Sequence, residues 1–326
     1  MPLVDDPMDE STPWLIDELK HRFQSTDSGL ILDMTHQEPI WCLTVSGFES
    51  WFAEVESCLD QTLGRRLAHA AAESEEWHRN QSPALPKSWL GQQKKRISII
   101  NSDWKLRGQG QLGVLESENQ SSTVIVANRT FTALAAGMGN AAWESIQERR
   151  FRFQWADRGV GETIVEMTID PREIPAPEKS IPSWEDQAGL ICDDDRLFHR
   201  ARHEIDGLWT VEGNRTMMLS RDCILRFENL ATSYLSSNVR STDSRTTWAG
   251  VESHEQVVLW DAMAEAARRQ FLASGELVLI ASPEHWIDVA NRHLSFLGLG
   301  RVSNASVVDD NGGVELSLPS TLHPAI

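Results

Sequence analysis

Apolar residues recur at helical spacing in PWLIDELKHRFQ, Pro13 to Gln24, which predicts a short amphipathic helix at the start of the chain. Two strand-like runs follow, Leu30 to Met34 and Ile40 to Val45. Ser46 and Glu49 then stand at capping-box spacing, and Phe48, Trp51, Phe52, Val55, Leu59, Leu63 and Leu67 continue at steps of three and four. That pattern predicts one long helix reaching about Trp77, stopped by the proline-bearing stretch Arg79 to Pro86. A further helix is expected from about Lys87 to Ile100. Strands are expected at Leu112 to Glu116 and Thr123 to Ala127, around the polar turn Ser117 to Ser122. A helix over Phe131 to Ile146 and strands at Phe151 to Trp155 and Glu162 to Ile169 complete this half. Helices followed by strand, strand, helix, strand, strand describe an α+β unit with helices packed on an antiparallel sheet.

The pattern then repeats. Residues Gly108 to Ala136 align without a gap, at an offset of 190, with Gly298 to Ile326. Gly-x-Gly opens both segments, at Gly108 and Gly110 and at Gly298 and Gly300, followed each time by strand, polar turn and strand. Upstream of the second Gly-x-Gly, Arg215 to Ser220 reads as a strand, and Asp222 to Tyr234 and Val251 to Leu272 as helices. Leu277 to Ser282 has no counterpart in the first half. The second copy lacks the last helix and the last two strands, so an internal duplication with a truncated second copy is expected. The break between copies falls in Pro171 to Gln187, where four prolines favour an extended linker. The expected organisation is therefore a complete domain at 1–170, a linker at 171–187 and a shortened domain at 188–326.

Composition narrows the partners. With 48 acidic against 30 basic residues the net charge is −18, which opposes binding to nucleic acid or to an anionic membrane surface. The short basic groups, Lys94, Lys95 and Arg96, then Arg149, Arg150, Arg152 and Arg158, read as solvated faces. No apolar stretch is long enough to span a bilayer, and the acidic start MPLVDDPMDESTPW lacks the features of a signal peptide. Cys42, Cys58, Cys192 and Cys223 are scattered, without metal-ligand spacing, and Cys42 and Cys223 sit in apolar runs that predict buried free thiols. These features together predict a cytoplasmic protein.

The order of these motifs resembles the V4R (4-vinyl reductase) domain, a small-molecule-binding module related in fold to the haem nitric-oxide-binding domain and to the Bet3-type subunits of the Golgi vesicle-tethering complex. The resemblance covers Ile40 to Ile169. It is carried by Ile40-Trp-Cys-Leu-Thr-Val-Ser-Gly-Phe with Leu63-Gly64 further on, by Gly108-x-Gly110 leading into a hairpin, by the step from Asn128 to Phe131 into a helix with Ala136-Gly137, and by a closing hairpin with Gly161-Glu162. It implies two tandem V4R-like domains. V4R domains often carry cysteines in the closing hairpin, and this chain has none there. Thiol-dependent metal or redox chemistry is therefore not implied.

Motifs for chemistry are sparse. Gly137-Met-Gly139-Asn-Ala-Ala142 has dinucleotide-turn spelling but lies inside a helical run rather than at its start, which favours close packing. His199 and His203 would share one face of a helix beside Cys192, Asp193, Asp194, Asp195 and Glu204, and a salt-bridged surface is the preferred reading over a metal site. Asp309 to Gly313 reads as an acidic hairpin turn, too short for a calcium loop. No catalytic residue is assigned, no metal site is expected, and no cofactor is named. An abundance of Trp, thirteen against one Tyr, leaves one candidate pocket: Trp51, Trp104, Phe131, Trp143 and Trp155, on elements that would line the gap between helices and sheet. The expected function is non-enzymatic binding of a hydrophobic small molecule, or a sensor or scaffold role. The alternatives are a structural subunit pairing as a homodimer or with another protein through a sheet edge at 314–318, and a reductase of tetrapyrrole metabolism.

Overall fold

The computed structural model describes residues 12–87, 92–184, 189–193, 197–235, 246–275, 282–308 and 313–326. Helix α1 (Pro13–Arg22) begins at a proline, whose missing N–H costs nothing in the first turn, and ends on Lys20, His21 and Arg22, which suit the negative end of the helix dipole. Leu15 and Leu19, one turn apart, are completely buried. The chain continues into β1 (Phe23–Ser25), β2 (Ile31–Asp33) and β3 (Glu38–Thr44), a meander whose last strand is buried along nearly its whole length.

Thr44, not Ser46, caps the next helix, α2 (Val45–Leu59), by accepting the Gly47 N–H. The capping box expected at Ser46 and Glu49 thus lies inside the helix. The single long helix expected to reach Trp77 is two helices, because Asp60 turns into the left-handed region at φ 50° and α3 (Gly64–Gln81) starts afresh. Glu56 closes the break: one carboxylate oxygen accepts the N–H groups of Leu63 and Gly64 at 2.5 and 3.0 Å, at the positive end of α3. Leu59, Leu63 and Leu67 keep four-residue spacing across the break, so periodicity alone could not locate it.

Helix α4 (Gln92–Arg107), strands β4 (Gln111–Ser117) and β5 (Ser121–Ala127), helix α5 (Thr132–Gln147) and strands β6 (Phe151–Asp157) and β7 (Glu162–Ile169) follow. The last four strands form an antiparallel sheet ordered β4-β5-β7-β6, with α5 across it and against α3. Gly137 permits that approach, since a Cβ there would overlap the Ala68 carbonyl of α3, and Gly139 sits on the Val126 and Val165 side chains. The glycines at 137 and 139 therefore pack a helix and do not form a phosphate turn.

The second half contributes β8 (Ala201–Ile205), β9 (Leu208–Val211), β10 (Asn214–Ser220), α6 (Arg221–Leu235), α7 (His254–Ala273), α8 (Pro283–Leu297), β11 (Asn304–Val307) and β12 (Val314–Ser317). Strand β8 begins where a helix carrying His199 and His203 was expected. His199 is in a turn and His203 in a strand, so the two imidazoles do not share a helix face; Asp194 and Asp195 lie outside the described residues. The run Leu277 to Ser282, all but its last residue, and the turn residues 309–312 are also outside them.

The fold is α+β, and its two halves are joined edge to edge. β3 pairs antiparallel with β10, Cys42 opposite Met218, making one sheet ordered β1-β2-β3-β10-β9-β8. Helix α2 packs on α7 and α3 on α6. One apolar core runs through both halves, from Phe48, Trp51 and Val55 to Phe227, Leu259 and Met263. The Pro171 to Gln187 stretch has no helix or strand among its described residues but is docked: Ser180 N–H donates to Asp222 and Arg226 donates to the Glu178 carbonyl. Among the described residues, no helix is long and apolar enough to cross a membrane.

Candidate functional site

The five aromatic residues expected to line a pocket are distributed through the core. Trp51 and Phe131 come together through a shared neighbour, Phe48, whose ring centroid is 5.8 Å from Trp51 and 5.6 Å from Phe131. Trp51 donates its indole N–H to the Met263 carbonyl on α7. Trp104, on α4, is completely buried and donates to Glu75 at 3.0 Å. Trp143, on α5, is completely buried, and its indole N–H meets no hydrogen-bond acceptor among the described residues. Trp155, on β6, stacks on Phe153 and is half-buried. These side chains fill space between elements, and the cavities described next are lined by other residues.

Where the halves meet, polar groups converge in numbers the sequence did not announce. Arg22 from α1 grips Asp33 on β2 at 2.9 Å and reaches Asp103 on α4 at 2.8 Å. Arg107 bridges Glu75 at 2.7 Å and Asp103 at 2.6 Å, and Arg79 also meets Asp103. His78 holds Glu38 at 2.9 Å, and the other Glu38 oxygen accepts the Asp222 N–H in the first turn of α6. Burial opposes the charge on Asp33, Glu75 and Asp103. The His36 hydrogen bond and Arg22 at Asp33, and the arginines around Glu75 and Asp103, outweigh it and hold all three carboxyls below the ordinary range. Such a lattice is costly to break and fixes the relative placement of α1, α3, α4 and the central sheet.

One string in this region has the composition of a hydrolytic triad. His36 lies 3.3 Å from both Asp33 and Ser82. The Ser82 hydroxyl, however, donates its only proton to the His78 carbonyl at 2.8 Å, and Asp33 is already engaged by Arg22. A serine whose proton is directed at a backbone carbonyl is not activated by the imidazole, so the string acts as a structural brace.

Besides openings of about 260 Å³ beside Phe23, Leu197 and Phe198 and of about 200 Å³ beside Pro39, Pro182 and Leu225, two cavities bear on ligand binding. Between Ser74, Glu75, His78, Gln109, Ser220 and Cys223 lies a void of about 20 Å³, room for one water and far below the several hundred Å³ of a ligand site. An open cleft of about 500 Å³ lies between α3, α5 and the chain after β7. Several of its charges are paired: Arg150 meets Glu76 at 2.6 Å and Glu144 at 3.0 Å, and Asp170 meets Arg172 at 2.6 Å. Burial nevertheless raises the Glu144 carboxyl above its ordinary value. Among the described residues, no cluster of three or more His, Cys, Asp or Glu could hold a metal ion.

The remaining candidate is a surface. β12 pairs with β11 on one side, Ala305 opposite Leu316 and Val307 opposite Val314, and with no described residue on the other. Leu316 is 38% and Leu318 37% exposed. In the first half, Val124 and Val126 of β5 are completely buried beneath α5, and the outer edge of β5 is taken by β7. After β12 the chain instead turns back: Thr321 bridges Gly300, Leu322 donates to the Leu299 carbonyl, and His323 is buried between Trp184 and Trp260 with Nε2 3.1 Å from Glu228. The sequence pointed to this edge through the offset match alone; the polar lattice gave no signal because its members lie up to 184 residues apart.

Comparison with protein-family models, with curated proteins and with solved structures finds no match for this chain.

Proposed function

We propose that the chain is a non-enzymatic scaffold: two V4R-like halves fused as an internal pair, with the free edge of the second half offered to an assembly in the cytoplasm. The observation that carries this reading is the outer edge of β12, which meets no strand among the described residues, beside aromatic side chains that pack against one another. The duplication is supported by contacts that recur with the halves exchanged. Asn101 exchanges two hydrogen bonds with the backbone of Leu112, and Asn291 does the same with Val302, both residues displaced by 190. The Gly110 turn meets Gly207 in the second half, and the Gly300 turn meets Gly29 in the first. A two-fold relation would generate both, as it would the packing of α2 on α7 and of α3 on α6.

Small-molecule binding is less well supported, because the aromatic candidates pack against one another and against backbone. A reductase activity has no nucleotide or flavin turn to draw on. Native mass spectrometry of gently purified protein separates these readings. The scaffold reading expects assembled species with no retained small molecule. A retained mass of a few hundred daltons, lost on Trp143→Ala in a protein that remains folded, would replace it with the binding-module reading.

A further inference from the structure

After β7 the chain passes over the start of α6 as a strap without helix or strand, and the body of the protein holds it there by its backbone. Asp222, in the first turn of α6, accepts the Ser180 N–H at 3.0 Å, and Arg226, one turn further on, donates to the Glu178 carbonyl. Both side chains are buried and grip each other at 2.6 Å. Lys179 between these two contacts is exposed, with Nζ 5.8 Å from the centroid of the buried Trp77 ring on α3. Pro182 lines one opening with Pro39 of β3 and Leu225 of α6, whereas Ile181 points outward and is 83% exposed.

We propose that this groove is a docking site for a proline-bearing segment of another protein, with a basic residue three positions before the proline, and that the chain's own Glu178 to Pro182 occupies it in the free protein. The groove is built from α3, β3 and α6 and is independent of the β12 edge that carries the scaffold reading.

The manner of holding fits an exchangeable occupant. A carbonyl and an N–H two residues apart are groups that any peptide backbone supplies, so the side chains between and beyond them set the preference. An ammonium over the Trp77 face favours a cation at the position of Lys179. Pro175, Pro177 and Pro182 restrict the segment before it docks, which lowers the ordering cost, as in other proline-rich ligands of aromatic-lined grooves. A strap with so much of its surface in solvent opens locally at low cost. When it leaves, the buried Asp222 carboxylate and Arg226 guanidinium each lose a partner, and a second backbone laid in the groove restores both.

Fluorescence anisotropy of a labelled synthetic peptide, Pro175 to Ser183, provides the test. The peptide stops short of Trp184, which stays packed against Trp260 and His323 in the chain. In the unmodified chain the tethered strap competes at an effective concentration of about 1 mM. Ser180→Pro in the chain removes the N–H that Asp222 accepts. That variant should keep its circular dichroism spectrum and bind the peptide about tenfold or more tightly than the unmodified chain does. Methylating the Ser180 nitrogen of the peptide should weaken binding about tenfold or more, and Lys179→Glu in the peptide about threefold. Where Ser180→Pro does not fold, Lys179→Gly combined with Ile181→Gly loosens the strap at two exposed positions and serves in its place. No binding to the loosened chain, equal binding to the loosened and unmodified chains, or indifference to N-methylation would overturn the docking site. A dimer of the unmodified chain in sedimentation that Ser180→Pro abolishes would place a second copy's strap in the groove and overturn the assignment to another protein.

Discussion

Gly207 and Gly110 meet backbone to backbone, the Gly110 N–H donating to the Gly207 carbonyl at 2.9 Å, in a close seam between the two halves. Gly207 has φ +76°, and a Cβ on it would overlap the Gly110 carbonyl. Gly207→Ala is expected to cost about 2–5 kcal/mol, combining left-handed strain with a collision against backbone. Gly159→Ala is the control: it has similar φ, +64°, but open space around it, and should cost about 1 kcal/mol. Urea unfolding of both variants measures the difference, and equal costs would show that the seam yields.

Asn101 and Asn291 perform the same task in the two halves, each closing a helix onto the strand segment after it. Alanine at either position leaves one backbone N–H and one carbonyl without their partner, a loss of about 1–3 kcal/mol. If the halves are equivalent in their folding physics, the two costs should match, and the double variant should show near-additive loss by chemical denaturation because the sites lie in different halves.

The carboxyls of Asp33, Glu75 and Asp103 are held below their ordinary values by the arginines and His36 around them. Their folded values lie below their unfolded ones, so they contribute stability above about pH 4, and it is lost as the pH falls further through the folded values. Glu144, raised by burial, works in the opposite sense: its contribution declines as the pH rises through its folded value. Melting temperature should accordingly fall steeply below about pH 4. Arg107→Met leaves Glu75 and Asp103 with one partner fewer, which should cost about 3–5 kcal/mol and move the acid decline upward in pH.

Thiol reactivity should follow depth. Burial pushes the Cys42 thiol up to about 12 and raises Cys223 further, and both side chains are enclosed. Cys58 and Cys192 are half-buried. A thiol reagent at neutral pH should label Cys58 and Cys192 in the folded protein and reach Cys42 and Cys223 only on unfolding. Rapid labelling of Cys42 in native protein would mean that the β3–β10 seam opens.

Much of the local structure was legible. Leu15 and Leu19 mark α1, the Gly-x-Gly turns mark the entry to β4, and alternation at Val124 and Val126 marks the buried face of β5. The errors share a cause. Leu59, Leu63 and Leu67 carry helical spacing through a break that Asp60 and the Glu56 cap impose, and the polar stretch His199 to His203 reads as a helix until pairing with β9 makes its second part the strand β8. For the aromatic candidates, spacing cannot say whether a ring lines a void or fills one. Trp51 and Trp104 fill theirs, each with its N–H committed to a carbonyl or carboxylate.

By itself the sequence determined the α+β class and the helices and strands with strong periodicity, because these depend on residues near one another. Only the tertiary structure decided that β3 and β10 join the halves in a single sheet, that Glu38 binds His78 and the start of α6, and that β12 pairs with β11 alone among the described residues. Those outcomes depend on which surfaces meet across 40 to 184 residues of chain. Hydrophobic burial selects such meetings through the combined shape of all the packed elements, and no local pattern carries that information.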